Sequence, residues 1–203
     1  MTRIDQQLIT GLILAGGRGT RMGTVDKGLQ VFRGSPMAMH AFLRLSPQVG
    51  EIIINANQHL AAYAAFGAKV WPDKIDGFAG PLAGLQTGLH HCKTPYLVSV
   101  PCDSPFLPAD LVERLSNALF SEQADLAVAV TIESNGETVA KQAHPVFSLM
   151  KSSVLTHLSD FLDQGGRKVD AWYASLNIVE VVFDDVAAFR NINTLQDLRQ
   201  FDN

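Results

Sequence analysis

Short apolar runs alternate along this chain with segments in which apolar residues recur at helical spacing. A run of roughly four to eight apolar residues is typical of a buried strand, and such runs cover residues 12–15, 51–55, 68–71, 96–100, 125–131, 143–149 and 176–183. Helical spacing covers residues 37–45, 59–66, 80–92, 108–121, 154–162 and 195–201. The alternation predicts one α/β domain over residues 1–203, with a mainly parallel sheet between two layers of helices.

Two local signals refine these boundaries. Pro36 precedes the apolar pattern of the first helix, and proline favours the first helical position. The polar stretch after the strand at 125–131 contains Asn135-Gly136, a dipeptide typical of a hairpin turn. We therefore expect the strand at 143–149 to return beside the one before it.

The charge balance argues against a general nucleic-acid-binding protein. The chain has 16 Lys and Arg against 20 Asp and Glu, a net charge of −4, whereas such proteins carry basic patches. It has no apolar run of about 18 residues that could span a membrane, and residues 1–10 lack the apolar core of a signal peptide. Cys92 and Cys102 form neither a C-x-x-C pair nor a zinc-binding spacing. We expect a cytoplasmic protein without nucleic-acid or membrane partners.

The loop after the first predicted strand has the composition of a phosphate-binding site. It is rich in glycine between residues 16 and 28, and it also holds Arg18, Arg21 and Lys27. Glycines let backbone N–H groups approach an anion, and the cations add positive charge. No Ser or Thr follows Lys27 as in a P-loop, and Met22 stands where a dinucleotide fingerprint needs its third glycine. The loop therefore predicts a triphosphate site of another kind.

Three further loops follow predicted strands, and ligands of open α/β sheets bind beyond the carboxyl ends of the strands. Asn55 ends the second strand, where its amide can bind a base or a ribose, or shape a turn. Asp73 follows the third strand, and the glycines from Gly80 onwards let the backbone approach a planar base. Asp103 ends the fourth strand between two prolines and suits Mg²⁺, which takes one or two carboxylates plus phosphate oxygens. A turn or a helix cap is the alternative role for both aspartates.

These motifs resemble those of the molybdenum cofactor guanylyltransferases, a family of nucleotidyltransferases with a Rossmann-like domain. The first loop carries L-A-G-G-x-x-x-R-M-G followed by Asp26-Lys27, a G-P-L-A-G run begins at Gly80, and P-C-D-S-P surrounds Asp103. Together the matches cover nearly the whole chain. Thr24 departs from the pattern, since many members have glycine there. The G-x-G-T-R within the loop is also similar to sugar-phosphate nucleotidyltransferases, which usually place a proline before the lysine.

The resemblance implies a role for particular residues. Arg21, Lys27 and Asp103 are expected to be catalytic, with Asp103 as the Mg²⁺ ligand. GTP contacts are expected from Lys27 and Asp103 and from a further set of residues, namely Leu14, Ala15, Gly16, Gly17, Asn55, Asp73, Gly80 and Pro81. Three residues are expected on the side of the second substrate, namely His144, Asn191 and Asn193. Asn193 can also act as the cap of the final helix.

The implied reaction transfers GMP from GTP to the terminal phosphate of molybdopterin, the molybdenum cofactor, and releases pyrophosphate. A phosphate monoester is largely dianionic at neutral pH because its second pKa is about 6. The reaction then needs no general base, and the enzyme must mainly offset the repulsion between anions. Cys102 lies in an acidic loop without a partner base, so we predict a packed thiol rather than a nucleophile.

The resemblance further implies molybdenum-insertion proteins and molybdoenzyme chaperones as partners. Three other functions remain open at this point. They are a molybdopterin cytidylyltransferase, a sugar-1-phosphate nucleotidyltransferase, and a non-catalytic nucleotide-binding or adaptor protein.

Overall fold

The computed structural model describes residues 4–16, 26–74, 80–134, 139–192 and 197. The strands within these residues are β1 (Ile9–Leu14), β2 (Val31–Phe32), β3 (Ser35–Pro36), β4 (Glu51–Asn55), β5 (Lys69–Trp71), β6 (Tyr96–Pro101), β7 (Leu126–Ser134), β8 (Val139–Lys151) and β9 (Ile178–Phe183). The α-helices are α1 (Met37–Leu45), α2 (Leu60–Ala64), α3 (Pro81–His91), α4 (Leu111–Ser121), α5 (Leu155–Asp163) and α6 (Val169–Tyr173).

Within the described residues, seven strands form one sheet in the order β5-β4-β1-β6-β8-β7-β9. The pairs β5-β4, β4-β1, β1-β6 and β7-β9 are parallel, and only β8 runs against its two neighbours. The predicted mainly parallel α/β sheet is therefore confirmed. The antiparallel strand follows from the chain's direct return from β7 into β8, because a short connection cannot make a parallel crossover.

Helices cover both faces of the sheet, which gives the predicted three layers. Successive side chains of a strand point to opposite faces, so Ile13 joins one cluster of buried residues and Leu12 the other. The first cluster includes Leu45 of α1 and Leu115 of α4. The second includes Leu85 of α3, with α5 and α6 contributing Leu158 and Trp172. Each helix layer thus buries one apolar face against the same central strands.

Several predicted boundaries need correction. Pro36 is not the first residue of α1; it adopts an extended backbone (φ −55°, ψ 140°) and pairs with Val31 in the β2–β3 hairpin. Helix α4 begins at Leu111 rather than at residue 108, because Asp110 holds the cap position. The β2–β3 hairpin and α6 are not foreseen by the apolar pattern, since two residues or five residues are too short to show a period. The Asn135-Gly136 turn lies outside the described residues, as does the predicted helix over 195–201 apart from residue 197.

The register of the parallel strands sets the place of the candidate site. Leu14 at the end of β1 pairs with Asn55 at the end of β4 and with Pro101 at the end of β6. Asn55 in turn pairs with Trp71 at the end of β5. The four strands therefore end level with one another, and the loops that follow them lie side by side at one edge.

Candidate active site

The loops after β4 and β5 are joined by hydrogen bonds around Asp73. The Asn55 amide donates to one carboxylate oxygen of Asp73 at 2.8 Å, and the Asn57 amide donates to the other at 2.7 Å. The Asp73 backbone N–H donates back to the Asn57 side-chain oxygen at 2.8 Å. Two amides thus hold a carboxylate in a fixed orientation, which is how hydrogen bonds to a charged group give geometric precision.

The same network reaches the start of the glycine loop. The Asn57 amide also donates to the Gly16 carbonyl at 3.1 Å. The N–H of Ala15 donates to the Asn55 carbonyl at 2.8 Å, as a continuation of the β1–β4 ladder. The Ala15 N–H is thus already used within the sheet, so it is not one of the donors left for a phosphate.

Asn55 is buried, with 2% of its surface exposed, and two glycines make room for it. A Cβ on Gly16 would lie 2.8 Å from the Asn55 side-chain oxygen, and one on Gly84 would lie 2.5 Å from the same atom. Helix α3 therefore approaches β4 closely at Gly84. Gly84 of the G-P-L-A-G run serves this close packing, a role that was not predicted from the sequence.

Helix α3 begins at the same edge of the sheet. Gly80 adopts a positive φ of 67° at the cap position, a conformation that favours glycine, and Pro81 is the first helical residue. The positive end of the helix dipole suits an anion or a polar base at this position. Gly80 and Pro81 thus begin the helix whose Gly84 packs against Asn55.

Asp103 and Lys27 come together on the other side of β1. The Lys27 Nζ lies 3.6 Å from the Asp103 carboxylate, and 21% and 13% of the two side chains are exposed. Burial raises the pKa of Asp103, while Lys27 lowers it. Asp110, not Asp103, holds the cap position of α4, so the alternative role of Asp103 as a helix cap is excluded. A poorly solvated carboxylate beside one lysine favours a further cation at this point.

The turn that carries Lys27 is fixed by Tyr63 of α2. The Tyr63 hydroxyl donates to an Asp26 carboxylate oxygen at 2.6 Å, and the same oxygen accepts the Gly28 N–H at 3.1 Å. Burial raises the pKa of Tyr63, and the nearby Cys102 raises it further, so the hydroxyl stays protonated and remains a donor. Asp26 thereby caps the single 3-10 turn over Lys27–Leu29.

Cys102 is buried, and burial together with the neighbouring Asp103 raises the pKa of its thiol. A protonated, packed thiol is a poor nucleophile. The prediction that Cys102 is a packed residue agrees with this environment.

The last described segment attaches to the Asp103 loop. The Ile192 N–H donates to the Asp103 carbonyl at 2.9 Å, and the buried Ser104 hydroxyl donates to the Asn191 side chain at 2.5 Å. Asn191 thus lies next to the expected metal ligand, but its side-chain oxygen is already bonded. The structure places it against the Asp103 loop, where its remaining amide hydrogens are the groups that could face a substrate.

His144 lies apart from these loops, on β8. Its Nε2 is 2.9 Å from the Thr131 hydroxyl, and its ring stacks on Phe189 with centroids 4.7 Å apart. Burial lowers the pKa of His144, so the ring is neutral at neutral pH. No hydrogen bond links it to Asp103 or Lys27 within the described residues.

Three predicted site residues, Gly17, Arg21 and Asn193, lie outside the described residues. Conversely, the structure brings three residues into the site for which the sequence predicted no role, namely Asn57, Asp26 and Tyr63. Asn57 had a signal, since it stands two residues after Asn55 in the same loop. Tyr63 had none, because a tyrosine in an alanine-rich helix looks like an ordinary core residue.

The donor atoms at this edge fit an ion such as Mg²⁺, which takes most of its ligands from phosphate and water. They do not fit a metal that is held by protein side chains alone. Within the described residues, no three His, Cys, Asp or Glu side chains form a group that could hold a metal. Asp103 offers one partly buried carboxylate, and Mg²⁺ in nucleotide sites takes one or two carboxylates with the remaining ligands from phosphate and water. Asp103 is the residue that would hold it.

Comparison with known proteins identifies the family of this chain. The family model of the MobA-like NTP transferase domain matches residues 11–178. The molybdenum cofactor guanylyltransferase of Ralstonia nicotianae is 60% identical over 194 residues, 95% of each chain. That of Bordetella petrii is 58% identical over 197 residues, 97% of this chain and 98% of the relative.

A solved structure shows the same fold. Molybdopterin-guanine dinucleotide biosynthesis protein A from Archaeoglobus fulgidus has a TM-score of 0.75 and 22% identity, with coverage of 95% of this chain and 96% of that chain. The Rossmann-like nucleotidyltransferase fold that the motifs implied is thereby confirmed. Sequence identity of this extent over nearly the full length places the chain in the molybdenum cofactor guanylyltransferase family.

Proposed function

We propose that this protein transfers GMP from GTP to the terminal phosphate of molybdopterin and releases pyrophosphate. The observation that carries the proposal is the pairing of Lys27 with Asp103 at the same sheet edge as the Asn55–Asn57–Asp73 network. One half of this edge offers charge for phosphates, and the other offers fixed polar groups for a nucleoside. The family membership supplies the identity of the two substrates.

In the reaction, a phosphate oxygen of molybdopterin attacks the α-phosphorus of GTP. One P–O bond forms as the bond from the α-phosphorus to the bridging oxygen of the β-phosphate breaks, and pyrophosphate leaves with that electron pair. The attacking monoester is already largely dianionic, with a second pKa of about 6, so no residue has to remove a proton. The work of the site is to bring two anions together and to stabilise the charge on the leaving group.

Lys27 is the described cation placed for this work, and Arg21 is proposed to act beside it. In the structure, Lys27 lies against Asp103. With GTP bound, its ammonium group would neutralise phosphate oxygens while Asp103 holds the metal. Mg²⁺, when bound, would supply positive charge to the phosphate oxygens. Residues Leu14, Ala15, Gly16, Gly17, Asn55, Asp73, Gly80 and Pro81 are proposed to line the nucleotide.

The second substrate is proposed to lie near Asn191 and Asn193, with His144 further along the same side. Asn191 is held against Ser104 in the Asp103 loop, which would set a molybdopterin phosphate next to the metal. Partner proteins that insert molybdenum or fold molybdoenzymes, and a cytoplasmic location, are further parts of the proposal. In the part of the chain that the structure describes, no helix has the length and apolar character to cross a bilayer.

Calorimetric titration with GTP, CTP, ATP and UTP in the presence of Mg²⁺ tests the proposal. We expect GTP to bind most tightly, followed by formation of the guanine dinucleotide when molybdopterin is added. A preference for CTP would favour a cytidylyltransferase, and a preference for UTP would favour a sugar-phosphate enzyme. A chain that binds no nucleotide even with molybdopterin present would overturn the proposal.

Replacement of the proposed metal ligand is the sharper test of the site. Asp103→Asn keeps the shape of the side chain but removes its charge, so we expect turnover to fall by about 10²-fold or more. The Mg²⁺ concentration that gives half-maximal rate should rise in parallel. The matched control is Asp110→Asn, which removes a carboxylate from the start of α4. Unchanged turnover and Mg²⁺ dependence in Asp103→Asn would remove Asp103 from the metal site.

A further inference from the structure

We propose that Tyr63 is a positioning residue for phosphate transfer, which acts through Asp26 to set Lys27 against Asp103. The inference rests on the proposed function, in which Lys27 and Asp103 handle the phosphates of GTP. Tyr63 belongs to α2. Within the described residues, its hydroxyl makes the only side-chain hydrogen bond of that helix. Its hydroxyl is the one polar group that this helix sends towards the Lys27 turn.

The link from Tyr63 to Lys27 is short and direct. The Tyr63 side chain is fully buried, at 0% exposure, and its hydroxyl bonds to Asp26 at 2.6 Å. Asp26 is the residue before Lys27 and caps its 3-10 turn through the Gly28 N–H. Because one carboxylate oxygen accepts both bonds, its orientation is fixed from two directions. The start of the turn is thereby held at a defined distance from α2.

Packing of Gly28 shows how closely the turn approaches this tyrosine. A Cβ on Gly28 would overlap the Tyr63 hydroxyl and would lie 3.2 Å from the Cys102 sulfur. Gly28 therefore passes directly against Tyr63 on one side and against the residue next to Asp103 on the other. This contact accounts for glycine after Lys27, at the position where a P-loop would carry Ser or Thr.

The ion pair shows what the turn achieves. Lys27 Nζ and the Asp103 carboxylate are 3.6 Å apart, and the position of the turn determines where the Lys27 side chain starts. The turn is only three residues long, and Leu29 alone packs its side chain against the larger hydrophobic cluster. A buried hydroxyl on a separate helix adds a constraint on Asp26, the residue just before the turn. Lysine side chains are flexible, and a fixed backbone limits the positions that the ammonium group reaches.

The segment from residue 55 to residue 63 thus serves both halves of the site. It begins with Asn55 and Asn57, which orient Asp73 on the nucleoside side. It ends with Tyr63, which orients Asp26 on the phosphate side. One loop and one short helix therefore set the spacing between the two groups of ligands.

Tyr63→Phe removes the hydroxyl and keeps the ring, so it tests the inference directly. We expect kcat to fall about tenfold, as for loss of a hydrogen bond to a charged group, with a smaller change in the KM for molybdopterin. The dissociation constant of GTP, measured with Mg²⁺, should also rise about tenfold. The matched control is Tyr173→Phe, which removes another buried hydroxyl, one bonded to the Pro145 carbonyl at 2.6 Å. It should lower stability without changing the affinity for GTP.

A double-mutant cycle separates positioning from a general loss of structure. Asp26→Asn weakens the acceptor, and we expect it to lower kcat as much as Tyr63→Phe does. The double variant should lower kcat no further than either single variant. Additive effects of the two variants, or wild-type kcat and GTP affinity in Tyr63→Phe, would overturn the inference. If Tyr63→Phe fails to fold, Asp26→Asn tests the inference by itself. A wild-type kcat in Asp26→Asn would also overturn the inference.

Lys27→Ala distinguishes failure of this inference from failure of the proposed function. If Lys27→Ala binds GTP with wild-type affinity and turns over normally, the phosphate site itself is wrong. If Lys27→Ala loses turnover while Tyr63→Phe does not, the phosphate site stands and only the role of Tyr63 is refuted.

Discussion

At the scale of single residues, the site depends on side chains that orient other side chains. Asp73 accepts amide hydrogens from both Asn55 and Asn57, so its two oxygens are largely committed before any ligand arrives. Asn57 also ties Asp73 to the Gly16 carbonyl. A carboxylate held in this way recognises a ligand through its remaining lone pairs and costs little reorganisation on binding.

Asn57→Ala tests this arrangement. The substitution frees one Asp73 oxygen and the Gly16 carbonyl together, so we expect the KM for GTP to rise about tenfold with a smaller change in kcat. Gln58→Ala in the same loop is the matched control and should behave as wild type. Steady-state kinetics with GTP varied at saturating molybdopterin measure both variants. An unaltered KM in Asn57→Ala would show that Asp73 does not need this partner.

His144 makes folding stability depend on pH. Burial lowers its folded pKa below the ordinary value, with Glu133 opposing the shift. Below an unfolded pKa of about 6.5 the unfolded chain therefore binds a proton that the folded chain excludes, and stability falls as the pH falls. In His144→Gln we expect a smaller loss of unfolding free energy between pH 7 and pH 5, measured by urea denaturation at each pH. An equal loss in both proteins would contradict this assignment.

At the scale of elements, the apolar pattern predicted the sheet and helices well where they are long and buried. The predicted bounds of α1 and β4 are those observed, because every turn or pleat contributes a buried residue. Short elements such as α6 have too few residues for a period, although Trp172 is fully buried. The motif loops likewise indicated Asn55, Asp73 and Lys27 as candidates. Tyr63 could not be predicted, because its role depends on the tertiary contact of α2 with a loop far away in sequence.

Helix α3 contains two glycines that differ in what lies opposite them. A Cβ on Gly84 would meet the side chains of Asn55 and Leu14, whereas one on Gly88 would overlap Leu12 in the core. We expect Gly84→Ala and Gly88→Ala each to lose about 1–3 kcal/mol from overpacking, offset in part by the better helix propensity of alanine. Only Gly84→Ala should also raise the KM for GTP, because it displaces Asn55.

Thermal unfolding and GTP kinetics on the two variants distinguish these effects. Equal kinetic defects in both would mean that the helix position as a whole, rather than Asn55, sets the nucleotide affinity. If the two variants lose similar stability and neither changes the KM for GTP, Gly84 has no role in the site.

At the scale of the whole molecule, the sheet order brings the end of the chain back to its middle. After β9 the chain reaches Asn191 and Ile192, which bond to Ser104 and to the Asp103 carbonyl. The loop that carries the proposed metal ligand is therefore supported by residues that follow it by almost 90 positions in the sequence.

Asn191→Ala leaves the buried Ser104 hydroxyl without its acceptor. We expect a loss of about 1–2 kcal/mol in unfolding free energy, the cost of an unsatisfied buried donor. Ser104→Ala in the same background should recover part of that loss, because the unpaired group is then absent. Urea denaturation of the two single variants and the double variant measures this. Strictly additive losses would show that the two side chains do not interact.

The bond from Ile192 to Asp103 also bears on the time at which the protein becomes active during its synthesis. A nascent chain that has emerged as far as the Asp103 loop already carries the proposed nucleoside ligands and the lysine turn, yet this loop lacks the support that residue 192 provides. Chains grow at about 5–20 residues per second, so several seconds separate the two events. We therefore expect nucleotide turnover to begin only after residue 192 has left the ribosome and can bond to the Asp103 loop.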